Sequence, residues 1–298
     1  MSRLLTVHAF AKINLTLDVG PRRADGFHEL RTLLQSIALR DRLTMTPRRG
    51  PFVIASRAPG LPADRSNLVY RAAERLWRAL GRAGDPRDAH VKLEKAIPVA
   101  AGLGGGSADA AAALWGLNAL WRGGLDTPRL SELAAELGSD VPFFLLGGTA
   151  LGTSRGDELY PTEEIRPLGI VLIKPSFGVT SADAYRWLDE DRAEGISGPA
   201  TGDHLDVGWP TGPIRLRNDL QAPVARRHPL IAEMLEAIRR AGAAGASMTG
   251  SGSTIFGVFP WPVPRAALRR LQRPDWLVLV TRTISRREAV RRSRVINF

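Results

Sequence analysis

The sequence predicts an α+β chain of two domains, and three observations lead there. Residues 9–19 alternate between apolar and polar side chains, the pattern of a strand with two unlike faces. A glycine-rich loop at 102–106 runs straight into an alanine-rich stretch of high helix propensity that ends near Leu120. Strand and helix patterns then mix along the chain with no internal repeat. At 298 residues and 44 % apolar content there is ample material for a real core. The boundary is placed near 160, giving domains over 1–160 and 161–298.

In the first strand Ala11, Ile13, Leu15, Leu17 and Val19 share one face, and Lys12, Asn14, Thr16 and Asp18 the other. It is expected to be half-buried, presenting a row of polar groups. Further strands are expected near 32–46, 51–56 and 89–94. A helix over 67–80 follows from Leu68, Ala72, Leu76 and Leu80 at i+4 spacing, with Ser66 or Asn67 as its cap. After the glycine loop and its helix, Thr127-Pro128 reads as a cap followed by a first-turn proline, and that helix stops at Gly138. Around 148–160 the chain turns through Gly, Thr and Ser. A short apolar strand at 168–173 and a helix at 181–190 open the second half. Residues 191–213, rich in Gly, Pro and Asp, read as a long loop. A helix at 229–241 opens with Pro229 and closes at Gly242, and strands at 254–259 and 276–282 flank a helix near 264–272.

Composition narrows the function classes. The absence of cysteine excludes disulfides and thiolate metal sites and suits a cytoplasmic enzyme. No apolar run approaches the roughly 18 residues that span a bilayer, and His8, Lys12 and Asn14 interrupt the apolar start, so neither membrane nor secretory signal is expected. The net charge of +11, carried mostly by arginine, favours anionic partners. Arginine clusters only in the tail, six between Arg282 and Arg294 without interleaved aromatics. A solvated helix face is the expected reading there, a nucleic-acid arm the alternative.

The most informative stretch is Pro98-Val99-Ala100-Ala101-Gly102-Leu103-Gly104-Gly105-Gly106-Ser107. Glycines remove the Cβ atoms that would keep a ligand from the backbone. A loop that opens a helix also leaves free N–H groups and the positive end of the helix dipole, which together suit a phosphate. Ser107 falls where a first-turn hydroxyl reaches a phosphate oxygen or its magnesium. Taken alone the stretch has a second reading, a flexible glycine turn with Ser107 as cap. It is not a P-loop, lacking the closing Lys-Ser/Thr pair, nor a dinucleotide fingerprint, since Ser107 replaces the third glycine and no acidic residue ends a second strand.

Three segments join it: Ala9-Phe10-Ala11-Lys12-Ile13-Asn14-Leu15 followed by Asp25-Gly26-Phe27-His28, then Gly138-Ser139-Asp140-Val141-Pro142, and Met248-Thr249-Gly250-Ser251-Gly252-Ser253. In this order, over nearly the whole chain, the motifs resemble the GHMP kinase superfamily (galactose, homoserine, mevalonate and phosphomevalonate kinases). The Ala11–Leu15 and Asp25–His28 stretches resemble its branch acting on a cytidylated methylerythritol. The resemblance implies an N-terminal ribosomal-protein-S5-like domain and a C-terminal ferredoxin-like α/β sandwich. It implies direct transfer from ATP, with Mg2+, to the 2-hydroxyl of 4-(cytidine 5′-diphospho)-2-C-methyl-D-erythritol, in a monomer or homodimer without nucleic-acid or membrane partners.

On that resemblance Lys12 and Asp140 form the catalytic pair, an Asp to take the hydroxyl proton and an ammonium to hold it ionised. Read without it, Lys12 is equally a strand-face lysine and Asp140 a cap of the helix that Pro142 signals. Pro98, Ala101, Gly102, Leu103, Gly104, Gly105, Gly106 and Ser107 wrap the ATP phosphates, and Lys95, Asp109 and Asn67 flank the nucleotide. Asn14, Phe27, His28, Thr180, Ser181, Tyr185, Gly250 and Ser251 meet the acceptor, with Phe27 and Tyr185 clamping the cytosine and His28 reading its edge. Core packing is the alternative for the Phe27–His28 pair. Two departures stand out: phenylalanine where tyrosine is usual at 27, and Ser253 where proline is common, from which a more flexible loop is expected. No dedicated metal cage is expected, only magnesium carried with ATP, with Ser107 as a possible ligand. The rival readings are a GHMP kinase acting on homoserine, a sugar or a mevalonate derivative, and a basic nucleic-acid-binding protein on the same scaffold.

Overall fold

β1 spans Leu5–Arg22 and β2 spans His28–Pro51. Both outrun the 9–19 and 32–46 patterns because their ends still pair, in an antiparallel ladder from Leu5↔Met45 to Arg22↔His28 broken by register shifts. The structure is a computed structural model that describes residues 4–198, 215–293 and 296–297. Residues 199–213 of the expected long loop, and Arg294 of the basic tail, lie outside the described residues.

After β3 (Val53–Ser56) comes α1 (Leu68–Ala79), whose cap is Asn67: its side-chain oxygen accepts from the Val69 N–H. β4 (Arg87–Glu94) leads to α2 (Gly105–Leu120), which starts inside the glycine run. Gly104 holds the cap position in a left-handed conformation with no side-chain bond, so Ser107 lies in the first turn and is not the cap. α3 (Thr127–Leu137) is capped by Asp126, not Thr127, through a carboxylate that accepts from the Arg129 N–H. α4 (Val141–Leu146) follows. The expected turn at 148–160 is a hairpin, β5 (Thr149–Thr153) and β6 (Glu158–Pro161), of which only the tip is turn-like; pairing with β2 draws the rest into the sheet.

The second half runs β7 (Gly169–Pro175), α5 (Ser181–Ala193), β8 (Arg217–Asn218), α6 (Gln221–Arg227), α7 (Leu230–Arg240), β9 (Gly245–Met248), β10 (Ile255–Phe259), α8 (Arg265–Arg270), β11 (Trp276–Arg282), α9 (Arg286–Ser293) and β12 (Ile296–Asn297). The sequence gives no clear period for β8, α6 or β9, which are too short to show one, and α6 carries Pro223. The basic tail does form a helix, α9, but not a wholly solvated one. Ala289 is buried with Phe10 and Ile284, and Arg286 donates to the Thr149 carbonyl.

One sheet has the order β12-β1-β2-β4-β3, with β5 also on β2, β6 on β5 and β8 on β1. The other is antiparallel throughout, β11-β7-β10-β9. Its strands and helices follow a βαββαβ succession, the ferredoxin-like arrangement. The chain passes from one sheet to the other between Pro161 and Gly169, although β8 and β12 return to the first.

The odd-numbered side chains of β1 thread three cores in turn. Leu5, Val7 and Ala9 pack with α1, α2 and α3; Ala11, Ile13 and Leu15 pack with Ile170, Leu172, Phe256 and Val258 of the second sheet; Leu17 and Val19 pack with α5, α6 and α7. The polar face is not half-exposed as expected. Lys12, Asn14, Thr16 and Asp18 are only 4 to 8 % accessible, because the 102–104 and 249–252 loops and Thr32 close over it.

α2 lies against β1 and β2 through its small residues. A Cβ on Gly116 would stand 2.4 Å from the Met45 sulfur and 3.0 Å from Val7 Cγ2. Gly116→Val therefore overpacks this contact and is expected to lower stability by about 1–3 kcal/mol, read as a reduced urea midpoint at unchanged slope. An unchanged midpoint would show that α2 can move off the sheet.

Candidate active site

Lys12 is where the structure concentrates its functional residues. Its backbone N–H donates to the Leu103 carbonyl at 3.1 Å, tying β1 to the glycine loop. Its side chain is 5 % exposed, and the ammonium donates to Asn14 Oδ1 at 2.6 Å and lies 3.7 Å from Asp140 Oδ2. Asn14 passes the order on: its Nδ2 donates to the Thr32 hydroxyl at 2.7 Å, which donates to the Thr16 carbonyl, and its backbone N–H donates to Thr249 Oγ1 at 3.0 Å. A buried ammonium costs heavily unless it is paired and hydrogen-bonded, and here it has both.

Asp140 holds the cap position of α4 without making a side-chain capping bond. Its carboxylate, 45 % exposed, turns to Lys12 and the cleft. Of the two readings open in the sequence, cap or partner of Lys12, the geometry bears only the second.

The glycine loop is pressed against protein, not merely open to a ligand. A Cβ on Gly102 would fall 2.2 Å from the Thr249 carbonyl oxygen, and one on Gly105 would fall 3.0 Å from Ile97 and 3.3 Å from the Lys95 ammonium. At these glycines the missing Cβ also lets the loop pack closely on the protein itself. Ala101 and Leu103 send their side chains into the core between the sheets, leaving only backbone to face a ligand. Gly102, Gly104 and Ser107 line the cleft; Pro98, Gly105 and Gly106 do not.

Lys95, Asp109 and Asn67, expected to flank the nucleotide, each have partners within the protein. Lys95 bridges Asp41 and Asp109 with its side chain 7 % exposed, and Asp41 Oδ1 accepts from the Ala96 and Ile97 N–H groups at 2.5 and 2.8 Å. Asn67 spends its amide on the Pro62 carbonyl and its oxygen on the cap of α1.

The 248–253 loop is fixed at both ends. Asn218 Nδ2 donates to the Met248 and Gly250 carbonyls, both at 2.8 Å, and Ser253 donates to the Phe177 carbonyl at 2.7 Å. Ser253 is fully buried, so the flexibility expected from losing proline is not what this loop has. Gly250 and Ser251 line the cleft, where Ser251 meets Ser181 at 3.3 Å. Thr180 caps α5, accepting from the Asp183 N–H and donating to its carboxylate.

At the far end Phe27 is 53 % exposed while His28 is 8 % exposed. The His28 ring stacks on Tyr185 with centroids 5.1 Å apart and meets Asp189 Oδ1 at 2.8 Å. That spacing leaves no gap for a base between His28 and Tyr185. Burial, with the Asp140 charge, pushes the Tyr185 phenol up and keeps it neutral. The sequence reading missed Arg155, whose guanidinium lies 5.3 Å over the Phe27 ring from the tip of the β5–β6 hairpin. Only the pairing of β5 with β2 brings residue 155 to residue 27, so sequence spacing carries no signal of it. Thr249, by contrast, sits inside the glycine motif already singled out.

These residues surround one cleft of about 1150 Å³, lined by Lys12, Asn14, Phe27, His28, Asp140, Tyr185 and Ser251 among others. That exceeds the 300–1,000 Å³ usual for a single small-molecule site. Residues 67–148 match the model of the GHMP kinases N terminal domain, and residues 202–274 the GHMP kinases C terminal. The chain is 46 % identical to the 4-diphosphocytidyl-2-C-methyl-D-erythritol kinase of Pelotomaculum thermopropionicum, covering 95 % of this chain and 99 % of that one. It is 41 % identical to that of Moorella thermoacetica, over 94 % and 99 %. A crystal structure of a 4-(cytidine 5′-diphospho)-2C-methyl-D-erythritol kinase superimposes with a TM-score of 0.75 at 36 % identity, covering 93 % of this chain and 98 % of that one. No helix among the described residues is long and apolar enough to cross a membrane.

Proposed function

The chain belongs to the GHMP kinases and, among them, to the 4-diphosphocytidyl-2-C-methyl-D-erythritol kinases, and from that premise we infer what its cleft does. It moves the terminal phosphoryl group of ATP to the 2-hydroxyl of 4-(cytidine 5′-diphospho)-2-C-methyl-D-erythritol. The observation that supports this most is the meeting, around one cleft, of the Lys12–Asp140 pair, the glycine loop and an exposed aromatic ring.

Each group has a task. The Asp140 carboxylate takes the hydroxyl proton as the new O–P bond forms and the bond to the ADP oxygen breaks. Lys12, held by Asn14 and too buried to be replaced by water, supplies fixed positive charge where negative charge develops. Backbone N–H groups of 102–107 receive the ATP phosphates at the start of α2. The exposed Phe27 ring takes a face of the cytosine, with the Arg155 guanidinium beside it. His28 fits less simply than expected: bound to Asp189 and stacked on Tyr185, it builds the wall of the base site.

Among the described residues no group of three or more His, Asp and Glu side chains is assembled around a metal. The donors in the cleft, the Asp140 carboxylate with the Ser107 and Ser139 hydroxyls, suit a magnesium ion held chiefly by phosphates and water. When bound, that ion neutralises phosphate charge. Residues 1–160 form the nucleotide-binding domain in this reading and 161–298 the second domain, with β8 and β12 as returns to the first sheet.

The test is ADP release with ATP and magnesium across a panel of acceptors: the cytidylated methylerythritol, its phosphate lacking cytidine, homoserine, galactose and mevalonate. Turnover with the cytidylated compound alone is expected; turnover with another acceptor would keep the kinase and discard the base site. Asp140→Asn should cut kcat by about 10²–10⁴ and leave ATP affinity near normal, so an unchanged rate removes Asp140 from the mechanism. Phe27→Ala should raise the acceptor KM by about 5- to 150-fold, stacking on a base being worth about 1–3 kcal/mol, with little change in the KM for ATP. Equal movement of the two constants would refute the cytosine assignment.

A further inference from the structure

β1 and β2 keep simple register only in short stretches, and one of those stretches carries Lys12 and Asn14. Lys12↔Ser36, Ile13↔Gln35 and Asn14↔Leu34 pair in step, with a register shift on either side. The second shift sets two residues of β1, Leu15 and Thr16, against the single step from Leu34 to Leu33 on β2. A bulge of this kind bends its strand, re-aims the side chains beside it and takes backbone groups out of the regular ladder. Buried N–H and C=O groups so displaced need other partners. Two threonines supply them: Thr16 Oγ1 accepts from the Leu33 N–H at 3.1 Å, and the Thr32 hydroxyl donates to the Thr16 carbonyl at 2.7 Å. Both threonines are buried.

The Thr32 hydroxyl also decides which way Asn14 faces. A hydroxyl has one hydrogen and two lone pairs, and a carbonyl oxygen only accepts. The Thr32 hydrogen is therefore committed to Thr16, and a lone pair is what it offers to Asn14. The Asn14 atom 2.7 Å away is accordingly the amide nitrogen, which leaves Oδ1 to face the Lys12 ammonium at 2.6 Å. An ammonium has only donors, so the sense of every bond agrees from the bulge to Lys12. Asn14 is thus tied at one end to the backbone of the bulge and at the other to the ammonium.

We propose that Thr32 is a positioning residue for Lys12: its hydroxyl ties the Asn14 amide to the bulge at Thr16 and so holds the ammonium where charge develops on the transferring phosphoryl group. The inference rests on reading Lys12 as catalytic, and not on the identity of the acceptor. Without the hydroxyl, Asn14 Nδ2 loses its partner in a buried place. An unpaired buried amide costs more than turning it does, and a turned amide takes Oδ1 off Lys12. Thr32 is among the residues that line the cleft, but it is only 3 % exposed and its hydroxyl is engaged on both sides. Its loss should therefore slow the transfer step and leave substrate binding nearly as it was.

The test compares Thr32→Val, which keeps the branched shape and loses the hydroxyl, with Thr32→Ser, which keeps the hydroxyl and loses the methyl. Single-turnover rates with ATP, magnesium and the cytidylated methylerythritol separate the transfer step from product release. The valine variant is expected to transfer about tenfold more slowly. Its KM values for ATP and acceptor, and the rate of the serine variant, should stay within about twofold of the unaltered protein. An unchanged rate in the valine variant overturns the proposal. So does a raised acceptor KM at unchanged rate, which makes Thr32 a substrate contact, and so does an equal loss in both variants, which makes it a packing group. Should the valine variant not fold, the serine variant decides: a comparable loss there overturns the proposal, and a retained rate supports it. No turnover of any acceptor by the unaltered protein would overturn the kinase reading instead. Turnover with a different acceptor would leave the comparison to be made on that one.

Discussion

The site depends on keeping one ammonium charged inside the protein. Lys12 is nearly buried, and its charge is sustained by Asn14 at 2.6 Å and Asp140 at 3.7 Å. Those partners come from β1 and from the turn before α4, and the loops that shield Lys12 come from the start of α2 and from between β9 and β10. A charge in such a place demands that every neighbour be present and correctly oriented, since an unpaired buried charge is far costlier than any one contact gains. The fold is arranged accordingly. β1 passes through all three principal cores, so the strand that carries Lys12 is also the one least free to shift.

That requirement explains what could be read from the sequence and what could not. The strand at 9–19, the helices at 67–80 and 229–241 and the glycine loop were legible because each has a local period or a local breaker. Local rules failed where pairing partners are distant. The hairpin at 149–161 looks like a turn until β2 supplies its neighbour, and the polar face of β1 looks solvated until two loops from elsewhere cover it. The same limit governs the site. Lys12 and Asp140 were identified by resemblance and are brought together by geometry, whereas Lys95, Asp109 and Asn67 have the right chemistry for a ligand and spend it on each other or on a helix cap. Sequence names the donors available; only the structure says which of them are already occupied.

Aromatic residues at the acceptor end follow a similar division. Phe27 and His28 are neighbours in sequence but not in environment, one open to the cleft and the other packed on Tyr185 and bonded to Asp189. In the proposed reading a fixed wall and one exposed ring suit a base, because little side-chain freedom is lost when it arrives. The Arg155 guanidinium lies over the Phe27 ring and is itself paired with Asp157 at 2.9 Å.

The contact between Gly102 and the Thr249 carbonyl has a wider consequence. With no side chain at Gly102 the two backbones pack closely enough that a Cβ there would clash, and the Thr249 hydroxyl donates to the Gly102 carbonyl at 3.3 Å, which joins the loop that opens α2 to the loop between β9 and β10. Asn218 holds the second loop through two carbonyls, and its neighbour Asp219 accepts from the Val19 N–H of β1. The connection closes a ring: β1 to the glycine loop through Leu103 and Lys12, that loop to 249–252, and 249–252 back to β1 through Thr249 and Asn14. In a ring of short contacts an error at one member cannot be absorbed locally. Both sheets contribute to it, so the geometry around Lys12 is a property of how the two halves of the chain pack, and of neither half alone.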